Sequence, residues 1–137
     1  MSGERDLARL LAGLAPELDP RPQVFAKLAG EPGPELVAAA FAVVREREGV
    51  TVVLAADIAG QFSLPVEPLW AKVTLSIHSD LAAVGMMAAV AAELAAAGIA
   101  VNPLAGWHHD HLLVPWDRRE EAVRRLAALA NRAAATR

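Results

Sequence analysis

Residues 70–78, WAKVTLSIH, constrain the fold more than any other stretch of the chain. Val73, Leu75 and Ile77 alternate strictly with Lys72, Thr74, Ser76 and His78. A period of two sends the two sets to opposite faces of a strand, so one face is buried and the other is polar or wet. Ser79 or Asp80 then stands where a helix cap is expected, and Val84, Met87, Ala91 and Leu94 fall on one stripe of a helix that stops at Gly98, the usual C′ residue. Glu93 is the one charged residue of that helix. A helix apolar on nearly all sides is normally covered on both, so a second unit or a partner chain is expected against it. Ile99 to Leu104 and His111 to Pro115 read as two further strands joined through GWHHD, and Asp117 with Glu120 spells a capping box for a last helix with Val123, Leu126 and Ala130 facing inward. The order from residue 70 is strand, helix, strand, strand, helix. A βαββαβ unit needs one strand more.

The first half has the complementary problem. Leu7, Leu10, Leu11 and Leu14 space a short amphipathic helix over residues 4–14, stopped by Pro16, and PELDPRPQ follows as an extended connector. Strands are expected over 23–29, 39–46 and 50–55, the last two forming a hairpin whose Gly49 is free to take a positive φ. GEPGP is a loop, residues 57–62 are a short helix, and SLPVEP is a second connector. Unpaired sheet edges invite aggregation. We therefore expect the N-terminal strand to complete the C-terminal sheet, or both halves to share one sheet, and pairing of 23–29 only with its own hairpin would overturn this.

Composition narrows the function classes. A chain of 137 residues can hold one domain, or two small units sharing a core. The net charge of -3 argues against a nucleic-acid binder, which needs a concentrated basic face. Arg118, Arg119, Arg124 and Arg125 alternate with Glu120 and Glu121, as on a solvated helix. The absence of cysteine excludes disulfides and thiolate catalysis. No signal peptide is apparent in MSGERDLARLL, and the longest apolar run, Leu81 to Ala92, has twelve residues, short of the roughly 20 that span a bilayer. The expectation is a soluble cytoplasmic protein with no membrane partner.

Two stretches could carry chemistry. GWHHDH, 106–111, concentrates His108, His109 and His111 around Asp110. In an extended chain His109 and His111 share one face while His108 and Asp110 share the other, and two ligands are too few for zinc. We expect no metal there. His109 and His111 would hydrogen-bond locally or line an anion pocket, and His78 is expected far away, near Pro115, on the premise of parallel first and third strands. The turn Ser79 to Gly85 offers amides at a helix start that attract a carboxylate, with Gly85 letting a ligand approach the backbone and Asp80 free to meet an ammonium. Asn102 could reach the same ligand. Glu46 and Glu48 beside Arg45 and Arg47 read as exposed charge. No phosphate-loop, dinucleotide or G-x-S-x-G fingerprint occurs, and Trp70, Trp107 and Trp116 read as core or interface anchors.

The stretch VTLSIHSDLAAVGMMAAVAAELAAAGIAVN resembles ACT domains, small βαββαβ regulatory modules of amino-acid metabolism. More narrowly, Gly3 to Leu18, REREGVT at 45–51 and HDHLLVP at 109–115 are similar in order and spacing to a bacterial family of ACT-containing proteins of unknown function, with His108 standing where that pattern has an aromatic residue. The resemblance implies an α+β, ferredoxin-like fold of two interlocked halves, 1–65 and 66–137, with antiparallel sheets and helices on one face. It also implies a non-enzymatic regulatory module that binds an amino acid or a similar small anionic metabolite. The ligand residues would be Ser79, Asp80, Leu81, Val84, Gly85, Asn102, His109 and His111, with no cofactor, in a homodimer or higher homo-oligomer. A metal-assisted hydrolase centred on His109, Asp110 and His111, and a purely interacting subunit, are the alternatives.

Overall fold

The computed structural model describes residues 3–136. The chain forms two compact units, one joining Met1–Asp19 to Ala71–Arg137 and the other running from Pro20 to Trp70. The chain thus starts in the first unit, builds the second whole, and returns.

The discontinuous unit contains α1 (Leu7–Ala12), β1 (Pro16–Leu18), β5 (Trp70–Leu75, from Ala71 onward), α4 (Met86–Ala96), β6 (Asn102–Ala105), β7 (Asp110–Pro115) and α5 (Arg119–Ala135). Its strands follow the spatial order β1, β5, β7, β6. Alternation in β5 buries Ala71, Val73 and Leu75, and these join Leu112 and Val114 of β7 on one sheet face. The helices close over that face with Leu10, Met86, Val90, Leu94, Ala122, Leu126 and Ala130, and Leu14 joins them from just beyond α1. Each fully buried leucine contributes roughly 1.5–3 kcal/mol by leaving water. The opposite sheet face carries Lys72, Thr74 and His111.

The missing fourth strand is supplied by the start of the chain. Pro16, Glu17 and Leu18 pair antiparallel with Leu75, Thr74 and Val73. Of the expected donor segment 23–29 only Gln23 reaches β5, at Trp70, and the connector PELDPRPQ supplies the pairing along Val73–Leu75. Pro16 within it and Pro20 and Pro22 beyond it hid this strand, but an edge strand tolerates proline because its N–H side need not pair.

The continuous unit contains β2 (Gln23–Leu28), α2 (Pro34–Ala39), β3 (Ala42–Arg45), β4 (Val50–Ala55) and α3 (Ala56–Gln61). β2 and β3 flank β4, and both pairings are antiparallel. Gln23 also pairs with Trp70, whose ring meets Phe25 edge-on at 5.5 Å. Val24, Ala26, Leu36, Val50, Val52, Leu54 and Ala59 form this unit's core. Residues 39–41 do not open a strand as expected. Ala39 ends, and residues 40–41 follow, a helix that starts with Pro34 at its first position and carries Glu35 in its first turn, where the fixed φ of proline and the helix dipole both favour them.

Helix boundaries in the discontinuous unit also differ from expectation. α4 starts at Met86, after Gly85 in a left-handed conformation of φ +101°, and not at Ser79 or Asp80. Val84 therefore lies outside the helix and is 82% exposed, while Met86, Val90 and Leu94 form the buried stripe. The C-terminal end is as expected, with Gly98 at φ +71° just beyond Ala97. The capping box of Asp117 and Glu120 does not form, because a 3-10 turn over Trp116–Arg118 precedes α5 and no side chain caps it.

Candidate functional site

The loop between β5 and α4 is shaped by the beginning of the chain. Glu4 forms a parallel bridge to Ser79. Its amide donates to the His78 carbonyl at 2.8 Å, and its carbonyl accepts from the Asp80 amide at 2.9 Å. This approach requires glycine one residue earlier, since a Cβ on Gly3 would lie 2.5 Å from the His78 carbonyl oxygen and 2.7 Å from the Asp80 nitrogen. Glu4 accepts from the Arg5 and Asp6 amides through its own carboxylate, and Asp6 caps α1 by accepting from the Arg9 amide. The strap of residues 3–7 is thus ordered at both ends.

Asp80 is the electrostatic centre of the loop. Its Oδ1 accepts from the Ala82 amide at 2.7 Å, and the Arg5 guanidinium stands 3.3 Å away. The Ala82 bond, Arg5 and the Gly3 amide hold the carboxyl below the usual carboxylate range, against a smaller opposing effect of burial. Asp80 is therefore an acceptor across the neutral range. The Asp80 amide bonds Glu4 and the Ala83 amide bonds the Asp80 carbonyl, so with Ala82 three of the loop's amides are taken by the protein's own groups. The anion-attracting donors are shifted along the chain to the α4 N-terminus, where Gly85 offers no capping side chain. The Leu7 side chain packs on the open face of Gly85, 3.2 Å from where a Cβ would stand.

Ser79 is buried and its Oγ donates to Asp110 Oδ2 at 3.1 Å, tying the loop to the start of β7. On the other sheet face Thr74 Oγ1 and His111 Nδ1 are 2.9 Å apart. Burial first, then Lys72 and His109, push the His111 imidazole below its ordinary pKa, while Asp110 opposes them. The neutral ring is favoured. His78 lies near His108, with ring centroids 5.4 Å apart, and His108 is 6.3 Å from His109. The expected distance between His78 and this loop was mistaken. The contacts Thr74 to His111 and His78 to His108 step in opposite directions along β5 and β7, so those strands are antiparallel, as a crossover followed by a hairpin requires.

Of the residues expected to share a ligand, Ser79, Asp80 and Gly85 come together in one loop, with Asp110 joining them. Leu81 and Val84 belong to the same loop and project outward, 61% and 82% exposed. Asn102 sits opposite Leu113 and His111 opposite Leu104, which places Asn102 three residues, roughly 10 Å at the strand rise, from the Asp110 end. Sequence reasoning missed Gly3, Glu4 and Arg5. Among the described residues no group of three or more His, Asp or Glu is arranged to hold a metal ion. No helix among them is long and apolar enough to cross a membrane.

Two family models, each described as an ACT domain, match residues 2–69 and 66–128. A protein of unknown function from Vibrio cholerae is 36% identical, with a TM-score of 0.79, over 90% of this chain and 95% of that one. A protein from Agobacterium tumefaciens is 23% identical, with a TM-score of 0.64, over 80% of this chain and 84% of the other. The regulatory subunit of aspartate kinase from Thermus flavus shares 12% identity and a TM-score of 0.65 over 94% of this chain and 99% of its own. The comparison with curated proteins gave no match.

Proposed function

We propose, from the premise that this chain belongs to the ACT-domain family and carries two ACT domains in tandem, that it is a ligand-sensing regulatory module. Its ligand is an amino acid or a similar small anionic metabolite, held at the loop 79–85. The observation that carries this reading is the pairing of an acceptor held below the usual carboxylate range with a helix start that lacks a capping side chain. Asp80 meets an ammonium, and the first-turn amides of α4 beyond Gly85 meet a carboxylate. Regulatory coupling follows if the ligand competes with the strap of residues 3–7, because Arg5 and the ligand ammonium seek the same Asp80 carboxylate. A ligand shifts such an equilibrium only by its differential affinity for the two states.

A thermal-shift screen of amino acids and common metabolites tests this. At a hundredfold excess over Kd a ligand adds about 2.7 kcal/mol to stability. The stabilisation should vanish in Asp80→Ala.

Assembly as a homo-oligomer is supported by the surface beside the loop. Leu81 and Val84 expose large apolar side chains, and Ala88, Ala92 and Ala95 continue them along the outer side of α4. A second copy is the occupant expected there, consistent with the uncovered apolar side of that helix. Sedimentation of Val84→Glu beside the wild type measures it, and an unchanged mass would remove this part of the reading. The hydrolase alternative has no supporting arrangement, since Asp110 is engaged by Ser79 and His111 by Thr74.

A further inference from the structure

Three of the chain's four histidines meet where β5 gives way to the loop 79–85. His78 is the last residue before that loop, and His108 and His109 belong to the turn between β6 and β7. Ring centroids of His78 and His108 lie 5.4 Å apart, and those of His108 and His109 lie 6.3 Å apart. His78 and His109 are half-buried and His108 is exposed. The proposed function uses none of these three rings.

The bonds that shape both segments surround the cluster. The Gly106 amide donates to the His109 carbonyl at 2.9 Å, which closes the turn. The His78 carbonyl accepts from the Glu4 amide at 2.8 Å, which anchors the strap. Between loop and turn, Ser79 Oγ donates to Asp110 Oδ2 at 3.1 Å. The contact of the His78 and His108 rings stands beside that bond, one residue away on the first segment and two on the second. Histidine is the side chain whose ordinary charge change falls between about pH 5 and pH 8. Neutral rings at this spacing pack, whereas like charges within about 4–6 Å disfavour one another.

The neighbouring charges decide whether that repulsion is cancelled. On the strap and loop, Asp80 stands 3.3 Å from Arg5 and Glu4 stands 3.9 Å from Arg9, so each carboxylate there already faces a cation. On β5, Lys72 pairs with Asp19 at 3.4 Å. On β1, Glu17 lies opposite Thr74, four residues and so roughly 13 Å along the strand from His78. β6 carries no charged residue. On β7, His111 meets Thr74, and burial above all favours its neutral ring. There remains Asp110, whose carboxylate accepts from the neutral Ser79 hydroxyl. One negative charge thus stands against up to three positive ones.

We propose that the histidine cluster is a pH-sensitive latch: protonation of His78 together with His108 separates the β6–β7 turn from the loop 79–85, breaks the Ser79–Asp110 bond and loosens the strap held by the His78 carbonyl. The latch opens without any ligand, so it stands apart from the ligand assigned to the loop.

Amide hydrogen exchange of the ligand-free full chain, followed by NMR at about pH 8 and about pH 5 and corrected for the intrinsic pH dependence of exchange, tests this. Protection at Glu4, Asp80 and Gly106, whose amides bond the His78, Glu4 and His109 carbonyls, should fall at the lower pH by roughly tenfold more than protection at Asp19. The Asp19 amide bonds the Lys72 carbonyl at 2.9 Å, further down β5. His78→Asn and His108→Phe each remove one ring of the close pair and should abolish the extra loss. His108 is exposed, so His108→Phe reads the latch even where His78→Asn disturbs the fold. The proposal is overturned by protection that falls no more at these three amides than at Asp19, by protection that rises because Asp110 draws the imidazoliums in, or by an extra loss that persists in His108→Phe. An extra loss that His111→Gln abolishes and His108→Phe does not would place the switch at His111 and overturn it equally.

Discussion

Replacing Gly85 by alanine tests how the strand-to-helix loop is held together. Gly85 sits at φ +101° and ψ -22°, outside the region that L side chains occupy readily. Holding a non-glycine residue in so sparsely populated a region costs about 1–3 kcal/mol. The new methyl would stand 3.2 Å from Leu7 Cδ2, but Leu7 is 41% exposed and can swing outward, so crowding adds less than about 1 kcal/mol, well under typical overpacking in a closed core. The sum is about 1–4 kcal/mol. For a chain of this size that is a fall in Tm of roughly 3–16 °C, interpolating between the shifts known for smaller and larger domains. Differential scanning calorimetry of wild type, Gly85→Ala, Leu7→Ala and the double variant separates the two causes. In the Leu7→Ala background the cost of Gly85→Ala should fall to its backbone part alone. Gly98→Ala is the comparison, because φ is +71° there and a Cβ would meet nothing within 4 Å. It should cost less, about 1–2 kcal/mol. A Gly85→Ala protein that melts within about 2 °C of wild type would refute the reasoning that this loop needs its left-handed turn.

Other perturbations probe separate parts of the account. Leu126→Ala removes a side chain that is 0% exposed at the centre of the discontinuous unit and should lower stability by about 2–5 kcal/mol in chemical denaturation. Gly3→Ala places a Cβ against the His78 and Asp80 backbone and should detach the strap, seen as faster amide exchange at Glu4 and Asp80 with the core protection retained. His111 has a lowered pKa, so its contribution to stability is complete above its unfolded value near 6.5 and is lost as pH falls through the lower folded value. Stability measured between pH 8 and pH 5 should therefore decline on acidification, and His111→Gln should reduce the decline. Asp80 is also lowered, so its contribution is present above 3.8 and lost below it; an NMR titration in which Arg5→Ala leaves its midpoint unmoved would contradict the assigned ion pair.

Much of the architecture was legible, and the exceptions have local causes. The alternation through β5 and the glycine that stops α4 at Gly98 are signals that tertiary context rarely overrides. The start of α4 was misplaced because Asp80 looks like a cap, yet its carboxylate closes a turn onto the Ala82 amide, and Gly85, five residues after Asp80, takes over the role of helix start. The short helix α2 was hidden in an apolar run that also suits a strand, and Pro34 was the overlooked sign. β1 was hidden by Pro16 and by having three residues. The loop 79–85 itself could be named from residue types. Its closure by Gly3, Glu4 and Arg5 could not, because a bridge spanning some seventy residues leaves no local periodicity. Antiparallel β5 and β7 followed from topology alone, and His78 would have been placed beside His108 had that rule been applied.

The most direct measurement is isothermal titration calorimetry of the wild-type chain and Asp80→Ala against the twenty amino acids and common small carboxylates. The account predicts a saturable heat for at least one compound with the wild type and none for that compound with Asp80→Ala. Silence across the whole panel, or a panel in which no compound's heat is removed by Asp80→Ala, would contradict the claim that the α4 start and Asp80 together receive the regulatory ligand.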